Sequence, residues 1–498
     1  MRRFVLILLS VLALYSCVKV TIVPDGPPEE EDPPKKEEST FKSGRVIVKV
    51  TPALAQDLED NTRDDGTVIL SRVESMADVE ETLAVESMQR LFAYAGVFEE
   101  RTRSESLHLW YTIVFDEEKP LELATGLLES HPGIDKIECD PINRLYGGEI
   151  EYAPMPTKST QTGPYNDPLL YRQWHYHNTG TEKGSAAGCD VNVFPVWESY
   201  TPARQDVIVC VVDGGVDYTH EDLEANMWHN PEQEGRAQYG YNFCKNSYVV
   251  TPDAHGTHVA GTIAAVNNNA IGVCGIAGGD YARGIPGVKI MSCQIFTGND
   301  SVNGASAIKW GADHGAVICQ NSWGYPDLNE TPESIRAAVD YFVKYAGMDE
   351  NGVQTGPMAG GLVVFAAGNE RKNGSSSEYN GILNVVSVGA DYCKAGYSNW
   401  GLFADLAAPG GDGSKGNKVL STVPGNKYGW MNGTSMACPH VSGVAALVVS
   451  ICGGPGFTTQ DLRTRLEASS RDISSYNPDF FVGRGLVNAL GAVTYTEP

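Results

Sequence analysis

Positive charge is scarce in this chain of 498 residues: 37 Lys and Arg stand against 62 Asp and Glu, a net charge of -25. So acidic a surface repels polyanions, which excludes nucleic acid as a partner and favours a soluble, self-repelling monomer. Cysteine is thinly spread, 11 residues without one C-x-x-C pair, which argues against a structural zinc site. Beyond the first 16 residues no unbroken run of 18 or more apolar residues occurs, so any membrane attachment is expected near the N-terminus. The glycine-rich Gly410-Gly411-Asp412-Gly413-Ser414-Lys415-Gly416 lacks the G-x-x-x-x-G-K-[ST] order of a phosphate cradle and reads as a surface loop.

What is present begins with Met1-Arg2-Arg3 and an apolar run to Leu14, the basic start and short hydrophobic core of a secretory signal. Leu14-Tyr15-Ser16-Cys17 resembles a bacterial lipobox. That resemblance makes residues 1–16 a lipoprotein signal and Cys17 the lipidated first residue of an exported protein. The lipid would then be its sole membrane attachment, on the periplasmic face or the cell surface. Residues 17–42, rich in Pro and Glu, bury too little apolar area to order themselves and read as a tether. Residues 43–146 alternate strand and helix patterns, with an extra strand expected near 97–101 and helix expected over 79–91. This suits a small α+β ferredoxin-like domain without a catalytic cluster, and its place invites the reading of a pro-domain. Residues 147–165, polar and carrying several prolines, form a linker where a processing cut is expected.

From residue 166 to 498 the pattern changes. Continuous apolar runs such as Val207-Ile208-Val209-Cys210-Val211-Val212 and Leu362-Val363-Val364-Phe365-Ala366 are signatures of strands buried on both faces. Helical stretches fit between them, so this half is an α/β parallel sheet flanked by helices, with ligands expected beyond the carboxyl ends of the strands. Asp213 follows the first run. His255 lies in His255-Gly256-Thr257-His258 at the mouth of a helix, and no Glu stands there to make the histidines a zinc-peptidase site. Asn369 ends another strand in Ala366-Ala367-Gly368-Asn369. Ser435 opens the apolar helix after Gly433-Thr434, where free N-H groups and the helix dipole stabilise an anion. Together they supply an acid, a base, a nucleophile and an amide donor, in the chain order Asp, His, Ser.

With these blocks the chain resembles the subtilisin-like serine peptidases, the subtilases. The resemblance runs from about residue 166 to 493 and includes Leu406-Ala407-Ala408-Pro409-Gly410. It implies a serine endopeptidase with Asp213, His255 and Ser435 as triad and Asn369 as oxyanion donor, acting on proteins or peptides. The domain at 43–146 would be its intramolecular inhibitor. It further implies substrate binding at Ser322, Trp323, Gly324, Ala366 and Gly368, with the large Trp323 reshaping the specificity pocket. It implies a structural calcium ion held by Asp222, Asn267, Asn269, Ile271 and Val273. One departure is Gly214, where the family usually has Ser or Thr after the acid.

Overall fold

Val46, Val48 and Val50 alternate with Ile47 and Lys49, the period-two pattern of a strand whose faces meet different surroundings. In the computed structural model, which describes residues 39–156, 163–200, 206–298 and 300–496, that is what happens. The segment expected to be a signal sequence, Cys17 and the expected tether as far as residue 38 lie outside the described residues.

The N-terminal lobe runs β1 (Phe41–Val50), α1 (Pro52–Asp60), α2 (Ala77–Leu83), β2 (Val85–Arg90), α3 (Glu99–Ser104), β3 (Trp110–Phe115), α4 (Leu121–Glu129) and β4 (Ile134–Pro141). Its sheet is antiparallel in the order β2-β3-β1-β4. Val46, Val48 and Val50 pack against Leu54 and Leu58 of α1 and Ala124 and Leu128 of α4. On the opposite face, Ile47 and Trp110 join a different cluster, made mostly by strands and helices of the larger half. The expected helix over 79–91 ends at Leu83, because Ala84 takes a left-handed conformation and the chain turns into edge strand β2. Residues 97–101 are helical instead of extended.

Two short strands follow, β5 (Arg144–Leu145) and β6 (Glu151–Tyr152). The larger half continues with α5 (Phe194–Ser199), β7 (Ile208–Gly214), β8 (Gly240–Asn242), α6 (Ala254–Ala264), β9 (Lys289–Thr297), β10 (Asp300–Ser301) and α7 (Ala305–Asp313). Then come β11 (Ile318–Asn321), β12 (Trp323–Gly324), α8 (Glu333–Tyr345), β13 (Leu362–Ala366), β14 (Ile382–Val388) and β15 (Leu406–Pro409). β16 (Val419–Val423), β17 (Lys427–Met431) and α9 (Thr434–Cys452) lead to the C-terminal helices α10 (Thr459–Ala468) and α11 (Ala489–Thr494). The main sheet has the order β10-β9-β7-β11-β13-β14-β15, parallel from β9 to β15. Successive residues of β7 feed opposite layers. Val209 and Val211 meet α6 and α9, whereas Cys210 and Val212 meet α7 and α8. The described cysteines are all free thiols.

Helix α9 is long and apolar enough to cross a membrane, yet it is the buried core helix of this sheet. Pro439 is its sixth residue, so the carbonyl of Ser435 loses its usual i+4 donor. Ser322 Oγ takes that place, donating to Ser435 O at 2.8 Å.

Candidate active site

Strand and helix ends leave backbone groups unpaired, and the candidate catalytic side chains stand at such ends. Asp213, near the end of β7, is wholly buried. Its Oδ1 accepts from Gly214 N at 2.6 Å and from His255 Nδ1 at 2.8 Å. His255 is the second residue of α6, whose cap Asp253 accepts from His255 N at 2.8 Å and Gly256 N at 3.3 Å. With Nδ1-H bound to a carboxylate, the imidazole presents Nε2 as the free base. That atom is buried and has no hydrogen-bond partner among the described residues. Burial pulls the imidazole down, but the charge and hydrogen bond of Asp213, with Asp253 adding to them, raise His255 above its ordinary value. Burial pushes the Asp213 carboxyl up, against the pull of that same imidazole.

Gly214 has a packing reason. A Cβ there would fall 2.4 Å from Asp253 Oδ1, so the helix cap fills the space a Ser or Thr side chain would need.

Ser435 is the second residue of α9, and its Oγ donates to Ser322 O at 2.8 Å. Asn369 follows β13. Its Oδ1 accepts from Thr434 N at 3.0 Å and Thr434 Oγ1 at 2.9 Å, which fixes the amide with Nδ2 outward. Nδ2 donates at 2.7 Å to the carbonyl of Tyr146, and Ser435 N reaches the same oxygen at 3.3 Å. Two donors from different elements thus converge on one peptide carbonyl. The next residue, Gly147, lies against the histidine: a Cβ at 147 would fall 2.9 Å from His255 Nε2. Gly433 is required by the same approach, since a Cβ there would meet Tyr146 O at 2.1 Å.

The chain around this peptide bond is extended and paired on both sides. Leu145 and Arg144 of β5 lie antiparallel to Trp323 and Gly324 of β12, and Tyr146 N donates to Ser322 O at 3.2 Å. Beyond the bond, Gly148 N donates to Asn432 O at 2.9 Å, and β6 pairs with Gly429 and Trp430 of β17. Strand addition of this kind is how extended peptides are held in a cleft. The peptide bond at the centre joins Tyr146, the last residue of the 43–146 segment, to Gly147, the first of the linker.

The remaining candidate positions are distributed as follows. Ser322 binds through its carbonyl and Gly324 lies under the Tyr146 ring. Trp323 is wholly buried, edge-on to Phe365 with centroids 5.0 Å apart, in the cluster that Leu145 packs against. Ala366 ends β13. Gly368 N donates to Thr434 Oγ1 at 3.2 Å, and a Cβ at 368 would meet Glu370 Oε2 at 2.5 Å. Thr434 and Asp253 were not singled out in the sequence, although each adjoins a motif that was: Thr434 precedes Ser435, and Asp253 stands at a helix-cap position before His255.

Around Asp222 the loop closes on itself. Asp222 Oδ1 accepts from Asn269 Nδ2 at 2.8 Å and Oδ2 from Val273 N at 2.9 Å. Asn269 Oδ1 accepts from Ile271 N at 2.8 Å, and Asn267 Oδ1 from Gly275 N at 2.8 Å. Burial drives Asp222 well above the usual carboxylate range, and the neighbouring charge is another carboxylate, Asp167. Asp167 is itself pushed up to about 6 by burial. Two buried carboxylates, Asp222 and Asp167, thus lie here beside the side-chain oxygens of Asn267 and Asn269, and among the described residues no group of three or more His, Cys, Asp or Glu is placed to hold a metal ion.

Residues 204–485 match Peptidase_S8, the subtilase family. The chain is 36% identical over 296 residues to the thermophilic serine proteinase of Bacillus sp. (strain AK1), covering 58% of this chain and 61% of that protein. It is 31% identical over 400 residues to an extracellular protease of Xanthomonas campestris pv. campestris, covering 75% and 64%. Fervidolysin from Fervidobacterium pennivorans, described as a keratinolytic enzyme related to subtilisin, shares the fold. Its TM-score is 0.60 at 23% identity, over 92% of this chain and 62% of fervidolysin. The chain therefore spans about three fifths of the length of these relatives. By the match over more than half its length, the chain belongs to the subtilase family.

Proposed function

We propose that this chain is an exported serine endopeptidase made as a zymogen, with Ser435 as nucleophile, His255 as general base and Asp213 orienting the imidazole. The observation that carries the reading is the Tyr146 carbonyl, held by Asn369 Nδ2 and Ser435 N, with the following residue against His255. Those donors sit where negative charge develops when a peptide carbonyl is attacked. In the state described, the Ser435 hydroxyl is bound to Ser322 O. To react it exchanges that acceptor for His255 Nε2, giving up its proton as Oγ adds to the Tyr146 carbonyl carbon. The imidazolium then returns the proton to the nitrogen of Gly147, the C-N bond breaks, and water hydrolyses the acyl-enzyme by the same route. Asp213 stabilises the imidazolium throughout.

In this reading the lobe at 43–146, with its ferredoxin-like strand order, is a pro-domain whose last residue occupies the cleft as both first substrate and inhibitor. The lobe also caps helix α8: Glu138 accepts from Ser334 N at 3.1 Å and Ser334 Oγ at 2.5 Å. The extracellular relative and the N-terminal sequence support export, with Cys17 as lipid anchor. A calcium ion at Asp222 and the 267–273 loop would neutralise buried charge and stabilise the native state.

A fluorophosphonate probe together with N-terminal sequencing tests the proposal. The wild-type chain should be labelled and should acquire a new terminus at Gly147, whereas Ser435→Ala should do neither. Labelling that survives Ser435→Ala sinks the assignment.

A further inference from the structure

After Tyr146 the chain does not leave the body of the molecule; it runs along β17. Glu151 and Tyr152 lie antiparallel to Trp430 and Gly429, and Ala153 N donates to Tyr428 O at 2.8 Å. Strand side chains alternate between faces, and here each face finds its own surface. Ile150 packs on the main core at Gly429, where a Cβ would fall 2.8 Å from its Cγ2, and Lys427 Nζ stands 5.4 Å from the centre of the Tyr152 ring. On the other face Ala153 joins Trp430 against Leu420 and Tyr428, and Lys418 Nζ pairs with Glu151 Oε2 at 3.0 Å.

The strand order of this small sheet is β16-β17-β6, so β17 owes its second neighbour to the segment that is expected to be cut. Once that segment leaves, the outer backbone groups of β17 form an open edge, and an open edge accepts an extended chain. The edge begins where the cleft ends. Met431 closes β17, and a Cβ at Gly147 would fall 3.1 Å from its Cε, so a substrate passes from the catalytic groups onto the strand without a break. The surroundings are locally basic in a chain of net charge -25: Lys418 and Lys427 flank the edge, and the Arg172 guanidinium lies over the Trp430 ring at 5.7 Å.

We propose that the outer edge of β17 is a docking strand for protein substrates, taking an extended segment on the leaving side of the bond with a carboxylate five residues past it, read by Lys418. The inference rests on the reading of this cleft as a peptidase active centre that cuts between Tyr146 and Gly147. Residues 150–153 are the first occupant and show the fit. Backbone bonds to β17 carry most of the affinity and are indifferent to sequence. Glu151 is largely exposed, so its pair with Lys418 adds a modest preference on top of them. The favoured substrate is an unfolded or loop segment that continues for seven residues past the bond, as 147–153 does, with an acid at the fifth. Chains that end sooner lose the edge altogether.

The test compares kcat/KM of the processed full chain on two amidated peptides, one with the sequence of residues 141–149 and one with that of 141–156, read at the bond between Tyr146 and Gly147. The longer should be favoured about tenfold, the order supplied by two net backbone hydrogen bonds. Ala153→Pro in the long peptide removes the N-H that Tyr428 O accepts and should forfeit most of that gain. Glu151→Lys in the long peptide should lower the value by roughly two- to fivefold at low salt, and Lys418→Glu in the enzyme should reverse that order. Equal values for the two lengths overturn the docking strand and leave the peptidase reading in place. A gain with length that ignores the charge at 151 overturns the role of Lys418. Absence of any Ser435-dependent hydrolysis of either peptide overturns the peptidase reading, and the inference with it.

Discussion

Arg101 is where the grip of the N-terminal lobe on the rest of the chain can be measured. It stands on α3 and is 6% exposed. Its Nε donates to Tyr341 Oη at 2.6 Å, one terminal nitrogen to Met348 O and Asp349 O at 3.2 and 3.3 Å, and the other to Asp313 Oδ1 at 2.7 Å. Phe98 stacks on the guanidinium at 3.8 Å. Arg101→Ala removes an ion-paired hydrogen bond to Asp313 and charge-assisted ones to Tyr341 Oη and two carbonyls, each of a kind worth up to about 1.5–3 kcal/mol. Asp313 is not orphaned, because Lys309 Nζ and Tyr341 Oη still reach it at 2.6 Å. The loss should therefore fall at the low end of the ~3–5 kcal/mol typical of a broken buried pair. About 3 kcal/mol corresponds to roughly a hundredfold in affinity, most of it in the dissociation rate. If the cleaved lobe inhibits by staying bound, the delay between chain cleavage on a gel and activity on a small peptide should shorten by about that factor. A delay within twofold of wild type would refute the reasoning.

Three other outcomes follow from the site. Asn369→Ala should lower kcat by about a hundred- to a thousandfold, the range known for such a donor in subtilisin itself, with little change in KM; a loss confined to KM would contradict the oxyanion role. His255 acts as a base only when neutral, so its raised pKa sets the acidic limb of kcat/KM above the ordinary imidazole value. Asp253 contributes to that rise, and Asp253→Asn keeps an oxygen for the helix cap while removing the charge. The limb should move to lower pH and activity should persist further into acid, whereas a stationary limb would exclude the effect. Chelation should lower the melting temperature of the chain, since an ion at one hundred times its Kd adds about 2.7 kcal/mol; the same temperature with and without chelator would remove calcium from the proposal.

The parallel sheet was legible because strands buried on both faces need no alternation: Val207–Val212 and Leu362–Ala366 stand out as unbroken apolar runs. Strand β2 was not, since Val85–Arg90 is an edge strand carrying Glu86, Ser87 and Gln89, and nothing local separates it from helix α2. Asp213, His255, Asn369 and Ser435 could be picked out because each sits at an element boundary next to glycines or small residues with few other uses. Gly214 was readable as a departure but not as a compensated one, because its partner Asp253 lies across a tertiary contact.

The proline in α9 ties the helix to the residue that follows β11. A helix usually spends the carbonyl of its second residue on its own ladder, so the nucleophile moves with the helix alone. Here Pro439 releases that carbonyl to Ser322, whose own carbonyl holds both the Ser435 hydroxyl and the amide of Tyr146. The Ser435 hydroxyl and the Tyr146 amide are thus held by one carbonyl oxygen. In the proposed reaction the hydroxyl leaves this oxygen for His255 Nε2, so Ser322 keeps hold of the peptide after it has released the serine.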